Sequence, residues 1–242
     1  MFGTILKYTR FVLLAISIAL ISFLCSIIFL FRPANMGNTY LAARMIGNVG
    51  AWLMGMKVEV EGLENFKQDE NFVVISNHQS NFDIFYVGKM VPRRTVSVGK
   101  KSILYFPFFG QMYWLSGNIL INRGNRRKAW NVMDKVAQAI TSGRGNVWIM
   151  PEGTRSKGRG TLPFKKGAFV TAIKAQSKII PVCISSFDKH VDISKWHSGT
   201  IKMKVLSPID AKGKTMDELN ELKNEAYEIV SKTVAELDNS YI

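Results

Sequence analysis

Cysteine, histidine and acidic residues are scarce in this chain, and each shortage excludes something. The 242 residues contain two cysteines, three histidines and 18 acidic residues against 32 lysines and arginines, which gives a net charge of +14. Cys25 and Cys183 both lie in apolar segments, so we expect no disulfide and a reducing compartment. Zinc-ligand sets, RNA-binding signatures and basic helices that run into heptads are also missing from the sequence. We therefore expect no nucleic-acid partner.

The most hydrophobic segment lies near the N-terminus. Residues 11–31 include no charged side chain, and as a helix they would extend about 31 Å, close to the thickness of a bilayer's hydrocarbon core. The run is longer than the core of a signal peptide and no clear cleavage site follows, so we expect a retained membrane anchor. Basic residues flank both ends, and the positive-inside rule therefore does not set its orientation. The positive charge favours anionic lipid, acidic substrates or carrier proteins as partners, although lysine also serves solubility alone.

Residues 38–56 carry apolar side chains at helical spacing, which predicts an amphipathic helix that lies against the membrane or packs on the first helix. An ordinary domain helix is the alternative. We expect a membrane-anchoring helical segment over residues 1–57 and an α/β domain over residues 58–242. In that domain short β runs alternate with helical patterns, which predicts a mixed, largely parallel sheet flanked by helices. The predicted strands are Val58–Glu61, Phe72–Ser76, Thr95–Val98, Ile119–Asn122, Val147–Met150, Ile179–Ser185 and Ile201–Leu206, and the predicted helices are Asn81–Met90, Arg126–Thr141, Gly167–Gln176 and Thr215–Leu237.

The segment Asn77–Asp83 offers a histidine and a carboxylate at the end of a predicted strand. Ligands bind at this edge of open α/β sheets. Asp83 falls in the first turn of the next helix, where the loop can bring it to one imidazole nitrogen of His78 and leave the other as a base. A His-x4-Asp pair is common by chance, and a structural histidine or a metal ligand fits it equally well alone. No nearby cluster supplies a third ligand, so we expect neither metal nor cofactor.

A second segment, Pro151–Arg155, also follows a predicted strand. Pro151 stops the strand, and Gly153 allows a tight turn that displays Glu152 and Arg155 at the same edge as His78. The planar fork of arginine suits phosphate because it donates two parallel hydrogen bonds. The alternative is a surface turn that carries an ion pair.

Two further segments extend the pattern. Gly117–Arg123 delivers Arg123 at the end of a strand. Pro181 interrupts an apolar run, which predicts an edge strand or a bulge, and core packing is its plainer explanation. Cations in predicted loops and helix starts would form a positive rim for a phosphorylated headgroup or an acidic acyl carrier if they converge, and some must be solvated surface. They are Lys100, Lys101, Arg126, Arg127, Lys157, Arg159, Lys165 and Lys166.

Together these segments resemble the glycerolipid acyltransferase family, and within it the bacterial branch that acylates lysophosphatidate. Asn77–Asp83 is similar to the family's first block, Gly117–Arg123 to its second, Glu152–Arg155 to its third and 180–182 to its fourth. The resemblance covers nearly the whole chain, including the N-terminal anchor. Within the second block, leucine stands at position 120, where the family usually has phenylalanine. In the third block, threonine at position 154 favours an acceptor already acylated at sn-1.

The resemblance implies acyl transfer from an acyl carrier protein or coenzyme A thioester to the sn-2 hydroxyl of 1-acyl-sn-glycerol 3-phosphate, which gives phosphatidate for phospholipid biosynthesis. His78 would be the general base and Asp83 would orient it, without a covalent intermediate. The implied substrate-binding residues are Arg123 and Arg155 for the phosphate, Lys100 as a helper, and Gly117, Asn118, Glu152, Gly153, Thr154 and Pro181. Asn77 or main-chain N–H groups near the helix start would stabilise the thioester oxyanion. The catalytic domain would lie on the cytoplasmic side of a bacterial inner membrane.

Three other functions stay open at this point. The acceptor could be glycerol 3-phosphate or another lysophospholipid, which an acceptor competition assay distinguishes. The chain could bind anionic lipid without catalysis, in which case His78→Ala would leave its function intact. It could also hydrolyse a phosphoester with a metal ion, and a chelator would then abolish activity.

Overall fold

A computed structural model describes residues 1–67, 70–122, 124 and 126–241, without the side chains of residues 126–129. The described chain contains seven strands: β1 Met56–Glu61, β2 Phe72–Ser76, β3 Thr95–Lys100, β4 Ile119–Ile121, β5 Asn146–Ile149, β6 Lys178–Ile184 and β7 Gly199–Val205. Its α-helices are α1 Phe2–Leu30, α2 Asn38–Leu53, α3 Asp83–Val87, α4 Phe109–Leu115, α5 Arg126–Thr141, α6 Gly167–Ala175, α7 Phe187–His190 and α8 Leu219–Asn239.

The strands form one mixed sheet in the order β1-β7-β6-β2-β5-β3-β4. Every neighbouring pair is parallel except β6 and β7, which are antiparallel. The predicted mixed, largely parallel sheet flanked by helices is therefore confirmed. Because β6, β2, β5, β3 and β4 run in the same direction, their carboxyl ends share one edge of the sheet, where the loops after them can converge.

Helices cover both faces of the sheet. Along β2, Phe72 and Val74 face one hydrophobic cluster while Val73 and Ile75 face the other, as the two-residue period of a strand requires. Residues of α1 to α4 contribute to the first cluster, and residues of α5, α6 and α8 to the second. The run of apolar residues in β2 is thus explained by burial on both sides, which is typical of a central parallel strand.

Helix α1 begins at Phe2, well before the predicted start at Phe11, because the charges that precede the apolar run are accommodated within the helix. Arg10 is buried, and its guanidinium donates hydrogen bonds of 2.6 to 2.9 Å to three main-chain carbonyls and one hydroxyl in segment 193–198. Further along α1, Leu14, Cys25 and Phe29 are buried in the same cluster as the sheet. The helix therefore packs on the α/β part of the chain along much of its length.

The opposite side of α1 is apolar and exposed. Among the described residues, α1 is the one helix long and apolar enough to cross a membrane. Its exposed large hydrophobic residues are Phe2, Ile5, Tyr8, Val12, Leu13, Ile16, Leu20, Phe23, Leu24, Ile27, Ile28 and Leu30. A surface of this size is typical of a membrane or protein contact.

The proline at position 181 corrects one prediction. Strand β6 lies between β2 and β7, so the expectation of an edge strand was wrong. The alternative, a bulge, agrees with the register: Val182 pairs with Val205, but Ile179 pairs with Ile209, which leaves an extra residue on the β7 side. Since Pro181 lies where the ladder is interrupted, its missing N–H is tolerated inside the sheet.

Candidate active site

The loops that follow β2 and β5 meet at the carboxyl edge of the sheet. Two main-chain hydrogen bonds join them, from the N–H of Ser156 to the carbonyl of His78 at 2.8 Å and from the N–H of Lys157 to the carbonyl of Gln79 at 3.1 Å. The guanidinium of Arg155 also donates to the side-chain oxygen of Asn81. The two segments singled out in the sequence are therefore one paired structure in the fold.

His78 and Asp83 form the centre of this structure. The Nδ1 atom of His78 lies 2.5 Å from Oδ2 of Asp83, across the turn that opens α3. The imidazole side chain is 21% exposed, whereas the carboxylate is almost fully buried. Among the described residues Nε2 has no hydrogen-bond partner, so this nitrogen is not occupied by the protein. This is the geometry of a base held by an acid.

Asp83 is held by donors from all sides. Its Oδ2 also accepts from the N–H of Gln79 at 2.8 Å, and its Oδ1 accepts from the N–H of Ser80 at 2.9 Å and from the hydroxyl of Tyr86. Burial and the neighbouring Asp83 charge raise the pKa of Tyr86 well above its ordinary value, so this hydroxyl stays a donor. Several donors on one carboxylate fix its orientation.

Glu152 is buried beneath the histidine rather than displayed at the surface. Only 2% of it is exposed, and its Oε1 accepts the main-chain N–H of His78 at 2.8 Å. Its Oε2 is buried without a hydrogen-bond partner among the described residues. Burial raises the pKa of this carboxyl to about 7, against the effect of hydrogen bonds from the N–H groups of His78 and Leu162, and the nearby Asp83 charge raises it further. Glu152 thus fixes the main chain of the loop at His78.

The rest of the turn is open to solvent. Gly153 has a φ of +67°, a left-handed conformation that glycine adopts without steric cost. Thr154 and Arg155 follow, and both are exposed. A cavity of about 400 Å³ opens here, lined by Phe11, Ser80, Asn81, Phe82, Arg155 and Lys157. Its lining combines two cations with two aromatic rings.

Asn77 and Gln79 are occupied in fixing the loop. The Asn77 amide donates to the carbonyl of Ile184 at 2.9 Å and accepts from its N–H at 3.0 Å. The Gln79 amide donates to the carbonyls of Ile184 and Ser185 and accepts from the N–H of Phe187. The side chain of Asn77 is thereby bound to β6 instead of facing a substrate oxyanion. The sequence reasoning missed Gln79, although its place between His78 and Asp83 was a signal.

The remaining predicted site residues are distributed over the sheet. The register places Lys100 at the end of β3, opposite Ile121 of β4 and on the same sheet edge as His78, and its side chain is exposed. Arg123 lies outside the described residues, two positions after the end of β4. Pro181 pairs with Ile75 and is buried in the sheet, away from the mouth of the site.

Gly117 and Asn118 precede β4 and so lie towards the other edge of the sheet. The register sets Asn118 in the row of Ser97, Trp148 and Val74, about 13 Å along the strands from His78. The Asn118 side-chain oxygen accepts from Ser97 and from Thr39 of α2. The observed contacts of Asn118 therefore join α2 to the sheet. The structure does not bring Gly117 or Asn118 together with His78.

The described residues contain no group of three His, Cys, Asp or Glu side chains that could hold a metal ion. The other two histidines lie apart from His78: His190 contacts Asp238 at the end of α8, and His197 is exposed. Both cysteines are free and buried.

Comparison with known proteins agrees with this geometry. The family model described as Acyltransferase matches residues 57–185, which include His78, Asp83 and the turn at Arg155. The chain belongs to this acyltransferase family. A 1-acyl-sn-glycerol-3-phosphate acyltransferase of Haemophilus influenzae is 41% identical over 233 residues, 96% of this chain and 97% of that protein. The protein of the same name in Escherichia coli is 40% identical over 229 residues, 95% of this chain and 93% of its own length.

More distant relatives extend the same pattern. The human 1-acyl-sn-glycerol-3-phosphate acyltransferase alpha is 35% identical over 190 residues, 78% of this acyltransferase and 67% of the human protein. The crystal structure of the 1-acyl-sn-glycerophosphate (LPA) acyltransferase PlsC from Thermotoga maritima superposes with a TM-score of 0.74. That comparison covers 99% of this chain and 98% of the other at 24% identity, and it supports the fold.

Proposed function

We propose that this acyltransferase transfers an acyl group from an acyl thioester to the sn-2 hydroxyl of 1-acyl-sn-glycerol 3-phosphate. The observation that carries the proposal is the His78–Asp83 pair, which lies on the loop paired with the Arg155 turn and next to the cavity residues Ser80, Asn81 and Phe82. The names of relatives that match nearly the whole chain support the choice of acceptor.

In the proposed mechanism, Nε2 of His78 takes the proton of the acceptor hydroxyl while its oxygen attacks the thioester carbonyl. Asp83 holds the ring through Nδ1 and stabilises the imidazolium that forms. The tetrahedral intermediate then collapses, the carbon–sulfur bond breaks, and the departing thiolate takes the proton from His78. Since the substrate hydroxyl is the nucleophile, no serine or cysteine of the protein is needed, and the buried Cys183 has no part in the reaction.

The phosphate of the acceptor would be held by Arg155, which lies exposed at the cavity and is oriented by Asn81. We propose Arg123 as a second partner and Lys100 as a helper, since Lys100 ends β3 and Arg123 follows β4 in the sequence, and both strands end at this edge. Glu152, Gly153 and Thr154 would shape the turn that positions Arg155 for this phosphate. The donor would be a coenzyme A or acyl carrier protein thioester, guided by exposed cations around the site that include Lys165 and Lys166.

We also propose that α1 binds the membrane with its exposed apolar side while its other side stays on the protein. A helix crossing the bilayer would have to leave the 193–198 segment, which binds Arg10. Lying in one leaflet, α1 keeps these contacts and brings the site to the surface where lysophosphatidate resides. The catalytic part would then face the cytoplasm of a bacterial cell.

Thiol release from acyl-coenzyme A and from acyl carrier protein tests the reaction, with lysophosphatidate or glycerol 3-phosphate as acceptor. We expect release that requires lysophosphatidate and falls by about 10²–10⁴-fold in His78→Ala, the usual contribution of a general base. His197→Ala is the matched control, because that histidine is exposed and remote, and it should retain full activity. Thiol release with glycerol 3-phosphate as the sole active acceptor would contradict the proposal. Equal release by the wild type and His78→Ala would contradict it as well.

A further inference from the structure

One residue of the N-terminal helix reaches the candidate active site. The ring of Phe11 stacks on the ring of Phe82 with 6.2 Å between centroids and an interplanar angle of 7°. Phe82 comes immediately before Asp83, and its ring stacks in turn on Phe187 at 4.8 Å. The helix that carries the exposed apolar surface is therefore in direct contact with the turn that carries the catalytic carboxylate.

The lining of the cavity beside this contact is of two chemical kinds. Arg155 and Lys157 supply positive charge, and Phe11 and Phe82 supply aromatic surface. Ser80 also lines the cavity, and its hydroxyl lies 3.3 Å from Oδ1 of Asp83. A ligand that fills the whole cavity must carry an anionic group next to an apolar group, close to the catalytic pair.

The surroundings of Phe11 show where the apolar group would continue. Tyr8 and Ala15, one turn before and one turn after Phe11 on the same side of α1, are exposed, Tyr8 to 63%. An acyl chain that passes the Phe11 ring can therefore extend onto an apolar surface instead of into water, which favours its binding.

We propose that Phe11 forms one wall of the acceptor site and selects an acceptor that carries an acyl chain beside its phosphate. The inference rests on the proposed function and deepens it, because it names the feature that separates an acylated acceptor from glycerol 3-phosphate. The phosphate contacts Arg155 and Lys157 in both acceptors, but only the acylated one contacts Phe11.

Phe11→Ala, Phe23→Ala and Lys157→Ala test this assignment in mixed micelles. Phe23 is the matched control: it lies on the same helix and makes a comparable ring pair with Phe108 at 5.8 Å, away from the cavity. The measured quantities are the KM and kcat for lysophosphatidate, the inhibition constant of glycerol 3-phosphate as a competitor, and vesicle binding.

We expect Phe11→Ala to raise the KM for lysophosphatidate about five- to tenfold, the order expected when a half-buried apolar contact is lost. Its kcat and the inhibition constant of glycerol 3-phosphate should stay at wild-type values. Lys157→Ala should weaken the binding of both acceptors. Phe23→Ala should change neither the KM for lysophosphatidate nor the inhibition constant of glycerol 3-phosphate, and it should bind vesicles as Phe11→Ala does.

Two results would overturn the assignment. One is an equal effect of Phe11→Ala on both acceptors, and the other is a rise in KM that Phe23→Ala reproduces. A wild-type protein that does not use lysophosphatidate at all would instead refute the proposed function itself, so the two failures are distinguishable.

Discussion

Replacing Glu152 by glutamine should make the protein more stable at pH 8 and raise its stability only about a quarter as much at pH 5. The carboxyl is 2% exposed, and burial raises its pKa from 4.5 to about 7. Between these two values the folded protein holds a proton that the unfolded chain has released. Stability therefore falls as the pH rises through this window, and the whole cost is present above pH 7.

The size of the effect follows from the same shift. At about 1.4 kcal/mol for each pKa unit, the rise from 4.5 to about 7 corresponds to roughly 3 kcal/mol of folding stability. Glutamine has the same shape, keeps an oxygen for the N–H of His78, and carries no charge. For a chain of this size, about 2–4 °C of Tm per kcal/mol converts the gain at pH 8 to about 6–12 °C.

Thermal unfolding followed by tryptophan fluorescence in detergent, at pH 5, 6, 7 and 8, measures this difference. Glu61→Gln is the matched control, since it makes the same chemical change at an exposed position and should follow the wild-type curve. If the Tm difference between Glu152→Gln and wild type were the same at pH 5 and pH 8, ionisation of Glu152 would not be coupled to folding. The reasoning from burial would then have to be abandoned.

Three further changes test other parts of the structure. Asp83→Ala should lower kcat about as much as loss of the base while leaving the acceptor KM near wild type, as thiol release at varied lysophosphatidate will show. Arg10→Met should lower Tm and expose α1 to limited proteolysis, because segment 193–198 loses a buried donor that reaches four acceptors. Gly47→Ala should cost about 1–3 kcal/mol in denaturant unfolding, since its Cβ would lie 2.8 Å from the main chain at Gly88.

Periodicity and strand ends were enough to predict the strands and a largely parallel sheet, because each strand is marked by an apolar run or by alternating apolar residues. The helix α4 was not predicted: its sequence, Phe109–Leu115, is short, rich in aromatic residues and preceded by proline, and it is helical because it packs on α1. Helix α3 is shorter than predicted and ends at Val87. In both cases tertiary contacts, which no local pattern contains, decided the length of the helix.

The candidate site was predictable only where its residues are close in the chain. The gap between His78 and Asp83 allowed their contact to be anticipated, and the structure brings them to 2.5 Å. The burial of Glu152 was not predictable, because its partner is a main-chain group of another loop. The place of Phe11 depends on how the first helix packs over the finished domain.

The anchoring of Arg10 has a consequence for biosynthesis. The partners of its guanidinium lie more than 180 positions later in the chain, so α1 leaves the ribosome long before they are made. At the 5–20 residues per second typical of synthesis, the apolar helix must wait roughly ten seconds or more without its final contacts. During that interval only lipid or a chaperone can cover it. Early contact with lipid or a chaperone is therefore a condition for correct folding of this chain.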